Sequence, residues 1–314
     1  MGISSRVTGV DIGHHSIKAV TLTKWRNTYS VVSCAELLVP DDIFADNHML
    51  DYQKIVKKLK ELKKGLPLFS RKVAIAIPDS TVITKELQLD SYQSPETALA
   101  NLLCDQVPFL IDDLAFDYAL LRNVGSSTEL GPTYRVYAAR HSLLEHRITV
   151  LRDSGINPFF ISPHGQSLLA IWSQLQIATQ RKNWLLVDIG VTQVTLCRGG
   201  EAPLCKVFDK ASCVPNTVTD NWMMSLRQQL HLYQSLAAVE PVEGIWLSGG
   251  GALSLGVAQQ LEQSLLLPCE GINLNLLLTG STPKCSIPNA AFSSALGLAF
   301  NGLDWLEEQR VSSR

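Results

Sequence analysis

Val7-Thr8-Gly9-Val10-Asp11-Ile12-Gly13-His14-His15-Ser16-Ile17-Lys18-Ala19-Val20-Thr21-Leu22 is an apolar run ending in a carboxylate, a tight turn at Gly13 and a second, alternating run. The core of the pattern returns 177 residues later as Leu186-Val187-Asp188-Ile189-Gly190, followed by Val191-Thr192. Each copy reads as strand, Asp-Ile-Gly, turn, strand. A single Asp-Ile-Gly is mostly a structural turn. Two copies, one in each half of the chain, together with a later Gly249-Gly250-Gly251-Ala252 after an apolar run, form a stronger constellation. Glycine in a hairpin turn lets backbone N–H groups approach phosphate oxygens without a side chain in the way. Small hydroxyl residues nearby, Ser16 and Thr192, can donate further hydrogen bonds. Asp11 and Asp188 would repel phosphate directly. They suit Mg²⁺ held through its waters, which is that ion's usual mode. A glycine triplet between a strand and a helix suits close backbone approach to a nucleotide.

Outward from these loops, residues 29–39 add a third strand, so the first half opens on an antiparallel meander. Residues 52–64 predict a helix: Tyr52, Ile55, Val56, Leu59 and Leu62 recur at spacings of three and four. Its other face carries six lysines against one glutamate, a local charge of +5 that reads either as a solvated face or as attraction to anionic headgroups. Residues 72–140 mix strands around a helix at 94–107 and read as an inserted module. Helices are expected at 142–154, closed by Gly155, and at 164–176. The polar break Arg181-Lys182-Asn183 divides the chain into halves 1–183 and 184–314. The second half is expected to hold strands at 184–188, 191–198 and 244–248, and helices at 217–237, 252–266 and 290–303.

The chain has 314 residues, 46% hydrophobic and only 18% charged, so it can bury a large core and is not a disordered chain. A net charge of −2 argues against a general nucleic-acid binder. The low charge fraction hints at apolar surface kept for partners. Seven cysteines without a C-x-x-C spacing exclude zinc-ribbon and thioredoxin readings and suit free thiols in a reducing compartment. No secretory leader is expected from residues 1–11. The uncharged runs 154–180 and 285–303 carry too many polar, Gly and Pro residues to span a bilayer.

The order and spacing of these motifs resemble the actin-like ATPase superfamily of sugar kinases, Hsp70, actin and FtsA. Residues 10–20 look like its first phosphate loop, 187–192 like its second, and Leu247-Ser248-Gly249-Gly250-Gly251-Ala252 like its adenosine motif. Within it the chain resembles the PilM family of type IV pilus assembly proteins and their HofM-like relatives. The pointers are Ile17-Lys18-Ala19-Val20, Ala76-Ile77-Pro78, Phe116-Asp117-Tyr118 and Ala295-Leu296-Gly297-Leu298-Ala299. The resemblance implies an α/β, actin-like ATPase fold: two halves around a nucleotide cleft, with a small FtsA-like domain inserted in the first. It implies ATP and Mg²⁺ as cofactors. The implied binding residues are Asp11, Gly13, His14, His15, Ser16, Lys18, Asp188, Gly190, Val191, Thr192, Gly249, Gly250 and Gly251, with Asp11 and Asp188 serving the metal. It further implies a cytoplasmic scaffold, peripheral to the bacterial inner membrane, that captures the cytoplasmic N-terminal peptide of a PilN-like protein and meets PilO- and PilP-like proteins indirectly. No direct nucleic-acid contact is expected, and the machine could serve pili, secretion or DNA uptake. The peptide groove is expected beside the inserted module, near 73–77 and 94–107, by strand addition.

The chain departs from that pattern at His14-His15-Ser16, where relatives carry small residues. It departs again at Ala211-Ser212-Cys213-Val214-Pro215, in place of a Gly-Gly pair, and at Ser225 and Gln228, in place of a Glu and an Arg beside the base. These changes imply weaker nucleotide binding and little turnover. The rival reading is an active phosphotransferase of the sugar-kinase type, which needs a positioned base that no residue here supplies. An FtsA-like filament former is discounted because residues 304–314 are charged rather than amphipathic.

Overall fold

The first Asp-Ile-Gly joins β1 (Ser5–Ile12) to β2 (Ser16–Trp25), and β3 (Thr28–Leu38) completes an antiparallel meander. The structure, a computed structural model, describes residues 5–26, 28–40, 43–44, 50–67, 72–89, 94–121, 131–200, 203–210, 221–235, 240–278, 280–281 and 288–312. Helix α1 (Tyr52–Gly65) buries the predicted stripe Ile55, Val56, Leu59 and Leu62 and is capped by the Asp51 side chain. On its polar face Lys54 and Lys58 meet Asp51 and Glu61, each at 3.6 Å. Next come β4 (Val73–Ile77), β5 (Val82–Gln88), α2 (Pro95–Cys104), β6 (Leu114–Leu120) and β7 (Thr133–Arg140). Helix α3 (His141–Asp153), β8 (Pro158–Pro163) and α4 (His164–Thr179) complete the first half.

The second half repeats the opening. Strands β9 (Trp184–Ile189), β10 (Gln193–Arg198) and β11 (Leu204–Asp209) form another antiparallel meander. They are followed by α5 (Asn221–Gln234), β12 (Gly244–Ser248), α6 (Val257–Leu265), β13 (Cys269–Gly271), β14 (Gly280–Ser281) and α7 (Ser293–Ser312). The two large sheets share one plan. The first runs β14-β3-β2-β1-β4-β8 and the second β11-β10-β9-β12-β13. In each, a meander is continued on the far side of its first strand by two parallel strands. The duplication seen in five residues therefore extends to a whole sheet.

Both sheets are covered on both faces, which is why their central strands read as nearly continuous apolar runs. On the first sheet, Val10, Ile17 and Ala19 pack with α1 and α3, while Val7, Val20 and Leu22 face α4 and α7. On the second, Leu185, Val187 and Ile189 pack with α5 and α6, while Leu186 and Trp246 face α4. The inserted module has its own sheet, β5-β7-β6, closed over Leu99 and Leu103 of α2.

The sheets divide the chain differently from the linear boundaries. Strand β4 lies between β1 and β8 in the large sheet, so the inserted sheet begins at Val82 rather than near residue 72. Beyond residue 184, β14 pairs with β3, and α7 packs on β1, β2 and β4, so the end of the second half returns to the first sheet. The helix expected over 252–266 is shorter, because Gly256 is left-handed (φ +83°) and α6 starts only after it. Residues 211–215, Cys213 and Cys285 lie outside the described residues; Cys34, Cys104, Cys197, Cys205 and Cys269 are free thiols.

Candidate functional site

The two duplicated turns close in the same way. Gly13 N–H donates to the Ser16 carbonyl at 3.1 Å, and Gly190 N–H to the Gln193 carbonyl at 2.9 Å. A Cβ at Gly190 would sit 2.9 Å from the Gln193 oxygen, so the turn itself dictates glycine there. The turns face each other across a cavity of about 620 Å³ between the halves. The implied ATP- and metal-binding residues all line it: Asp11 through Ser16 and Lys18 on one wall, Asp188, Gly190, Val191 and Thr192 on the other, and Gly249, Gly250 and Gly251 at the end. Gly249 adopts φ +83°, and a Cβ there would lie 2.5 Å from the Ile189 carbonyl oxygen, so the glycine segment lies tight against the second turn.

The carboxylates differ in setting. Asp188, on the central strand β9, is only 8% exposed and accepts from Ser248 Oγ at 2.8 Å. Burial pushes its carboxyl above the ordinary carboxylate range, against the opposing pull of His164 and of the Ser248 hydrogen bond. Asp11 sits at the end of β1 and has a buried cation beside it, Arg147 of α3. Lys18 donates to Ser16 Oγ at 2.7 Å and lies 3.5 Å from Glu36; Ser16 Oγ in turn donates to Glu36 Oε1 at 2.7 Å. The hydroxyl expected to donate to a ligand thus spends its proton on Glu36. His14 spans the cavity. Its ring stacks on Phe44 (centroids 4.1 Å apart), and its Nδ1 lies 3.4 Å from Thr192 Oγ1.

Further lining residues had no local signal in the sequence. Asp79 accepts from Gly165 N–H at 2.9 and 3.0 Å and so caps α4. His164 Nε2 lies 2.8 Å from Ser294 Oγ, with Asp79 at 3.8 Å from its other nitrogen. Burial raises the Asp79 carboxyl, partly offset by His164. Lys210 and Arg147 bring positive charge. These residues come from segments far apart in sequence. Residues 225 and 228 on α5, expected near a base, do not line the cavity.

The cavity suits a magnesium-bound polyphosphate. Among the described residues no group of three or more His, Cys, Asp or Glu could hold a metal ion alone. Two carboxylates facing backbone turns and nearby cations match the way magnesium sits: few protein ligands, its own waters and substrate phosphates. The implied ATP and Mg²⁺ therefore fit the residues present. Asp11 and Asp188 would hold the ion's waters, and the turns around Gly13 and Gly190 would hold the phosphates.

A second cavity, about 610 Å³, lies between the inserted sheet and the first large sheet. Strands β6 and β8, each at the edge of its sheet, line it together with β7 and with Asn301, Asp304, Trp305 and Glu308 of α7. Alternation on β6 sends Leu114, Phe116 and Tyr118 towards the module core and leaves Ala115, Asp117 and Ala119 on the other face. Of the segments expected at a groove, 94–107 is turned inward, with Leu99 and Leu103 in the module core, and 73–77 contributes only Ile77.

The sequence profile of a family described as type IV pilus assembly protein PilM matches residues 9–201. Among solved structures, a PilM–PilN type IV pilus biogenesis complex superimposes with a TM-score of 0.76 at 21% identity, over 95% of this chain and 98% of that one. The cytoplasmic domain of EpsL, an inner membrane component of the type II secretion system of Vibrio cholerae, gives a TM-score of 0.52 at 11% identity, over 95% of each chain. No curated protein matches. The fold is the actin-like ATPase fold that the paired loops imply.

Proposed function

This chain belongs to the PilM family of type IV pilus assembly proteins, and on that premise we propose that it is a cytoplasmic adaptor of a pilus assembly or DNA-uptake complex. The groove between β6 and β8 takes the extended N-terminal peptide of a PilN-like inner-membrane protein. Through that partner the chain is held at the inner membrane and meets PilO- and PilP-like proteins. Among the described residues no helix is long and apolar enough to cross a membrane, in keeping with attachment through a partner. The cleft binds ATP with Mg²⁺ and turns it over slowly or not at all.

The observation that carries the reading is the groove's construction. It is bounded by two edge strands, which offer backbone hydrogen bonds to an added strand. Ala115, Ala119, Phe160 and Trp305 give it apolar walls, and Asp117, Asp304 and Glu308 give it an acidic rim. Such a groove fits an extended apolar peptide that also carries a basic residue.

The test is a titration of a fluorescent peptide spanning the first dozen or so residues of the PilN-like protein. Ala119 is exposed and lines the groove, so Ala119→Trp fills it without disturbing the core. Binding by the wild type with at least tenfold loss in the variant is expected. Equal binding by both would remove the groove from the reading.

A further inference from the structure

Cys197 of β10 and Cys205 of β11 stand directly opposite each other in the antiparallel ladder, and their sulfurs are 3.4 Å apart. At the start of that ladder Lys210 N–H donates to the Thr192 carbonyl at 2.7 Å. Hydrogen-bonded and non-hydrogen-bonded pairs alternate from there, which makes 197/205 a non-hydrogen-bonded pair, the kind whose side chains lie closer. The Cα separation of about 4.5 Å in such pairs falls within the span that a disulfide bridges.

The two thiols differ in access. Cys197 is fully buried, and burial together with the neighbouring sulfur pushes its thiol up. Cys205 is partly exposed, on an edge strand of the second sheet. Helix α4 holds it in place: a Cβ at Gly165 would lie 2.1 Å from Cys205 Sγ, so the sulfur occupies the room that glycine leaves. A thiol that small solutes can reach, with a second thiol in contact behind it, is the arrangement of an attacking and a resolving cysteine.

We propose that Cys197 and Cys205 form a reversible modification site, a dithiol that a peroxide converts to an intrachain disulfide tying β11 to β10. In the first step the Cys205 sulfur takes one oxygen from hydrogen peroxide. The O–O bond breaks, an S–O bond forms, the sulfur is oxidised to a sulfenic acid and one water leaves. In the second step the Cys197 sulfur attacks the Cys205 sulfur. The S–S bond forms, the S–O bond breaks, and the oxygen departs as a second water with the proton Cys197 gives up. Two thiols and one peroxide thus yield one disulfide and two waters. A dithiol reductant returns two electrons and two protons and restores the pair. In a reducing compartment the thiols are the resting state, and the disulfide is transient.

The experiment is peroxide titration of the reduced full chain, followed by alkylation of the remaining thiols and peptide mapping without reduction. Tryptic cleavage at Arg198 separates the two cysteines, so a disulfide appears as peptides 183–198 and 199–206 joined to each other. The expected result is that joined species, with the alkylated forms of both peptides falling at least fivefold and returning after dithiothreitol. In Cys197→Ala the resolving thiol is gone, and dimedone should instead trap the Cys205 sulfenic acid. Cys104, which is exposed, serves as the internal reference for peroxide dose. Absence of the joined peptides at a dose that oxidises Cys104 overturns the proposal, whether Cys205 stays a thiol, passes on to sulfinic acid or pairs with another cysteine. The wild-type map decides the matter even if the alanine variant does not fold.

Discussion

His14 Nδ1 lies 3.4 Å from Thr192 Oγ1, joining the two duplicated turns across 178 residues of sequence. The imidazole is also stacked on Phe44, 24° from parallel. It therefore bridges the walls of the cleft where a small residue would leave space. The contact should contribute about 1 kcal/mol, in the range for aromatic pairs. His14→Ser is expected to lower the melting temperature by about 2–4 °C and to speed Mg·ATP association in stopped-flow measurements. An unchanged melting temperature with tenfold weaker nucleotide binding would instead assign the imidazole to the phosphates.

Asp188 gives a second expectation, in pH. Its folded carboxyl binds a proton more tightly than the unfolded one because burial disfavours the charge. Such a group stabilises the fold below the ordinary Asp value near ~3.9. That contribution is lost as pH rises through the raised folded value, so ionised Asp188 is a burden at neutral pH. Asp188→Asn keeps an oxygen for Ser248 and removes the charge. It is expected to exceed the wild type in stability at pH 7.5 by about 1 kcal/mol, the difference shrinking as pH falls towards 4. Mg·ATP should raise the melting temperature of the wild type and not of the variant. A variant that is less stable at every pH would mean that the carboxylate is needed by the fold itself.

What could be read from the sequence was local. The turns at Gly13 and Gly190 and the strand at 244–248 are set by residues adjacent in the chain, and the structure has them where the pattern puts them. The helical stripe of α1 is equally local. The rest of the cleft was not legible, because Asp79, Arg147, His164 and Ser294 meet only after folding. An arginine inside a helix looks like any exposed arginine until α3 is docked. Segment 94–107 illustrates the same point: its periodicity marks an apolar face but not whether core or partner covers it, and folding puts Leu99 and Leu103 in the module core. Gly256 was the missed local signal, since a glycine inside a helical pattern often marks a break.

The last expectation concerns the helix crossing that fixes both cavities. Helix α7 supplies Ser294 to the cleft and Asn301, Asp304 and Trp305 to the groove. It is wedged between β1 and α4, and at Gly297 a Cβ would lie 2.0 Å from the Ser167 carbonyl oxygen. The obstacle is backbone, so the helices must separate. Alanine gains about 1 kcal/mol over glycine in a helix interior, whereas overpacking costs about 1–3 kcal/mol or more. Contact this close puts the clash at the upper end, and Gly297→Ala is expected to be destabilised by at least ~1 kcal/mol net. The control is Gly65→Ala at the end of α1, where a Cβ meets nothing within 4 Å and alanine should be neutral or stabilising. Urea denaturation of both variants decides the matter. Gly297→Ala should show a lower midpoint with an unchanged slope and weaker peptide binding, since the groove residues ride on the displaced helix. Equal midpoints for the two variants would mean that α4 and α7 are not held in contact at Ser167.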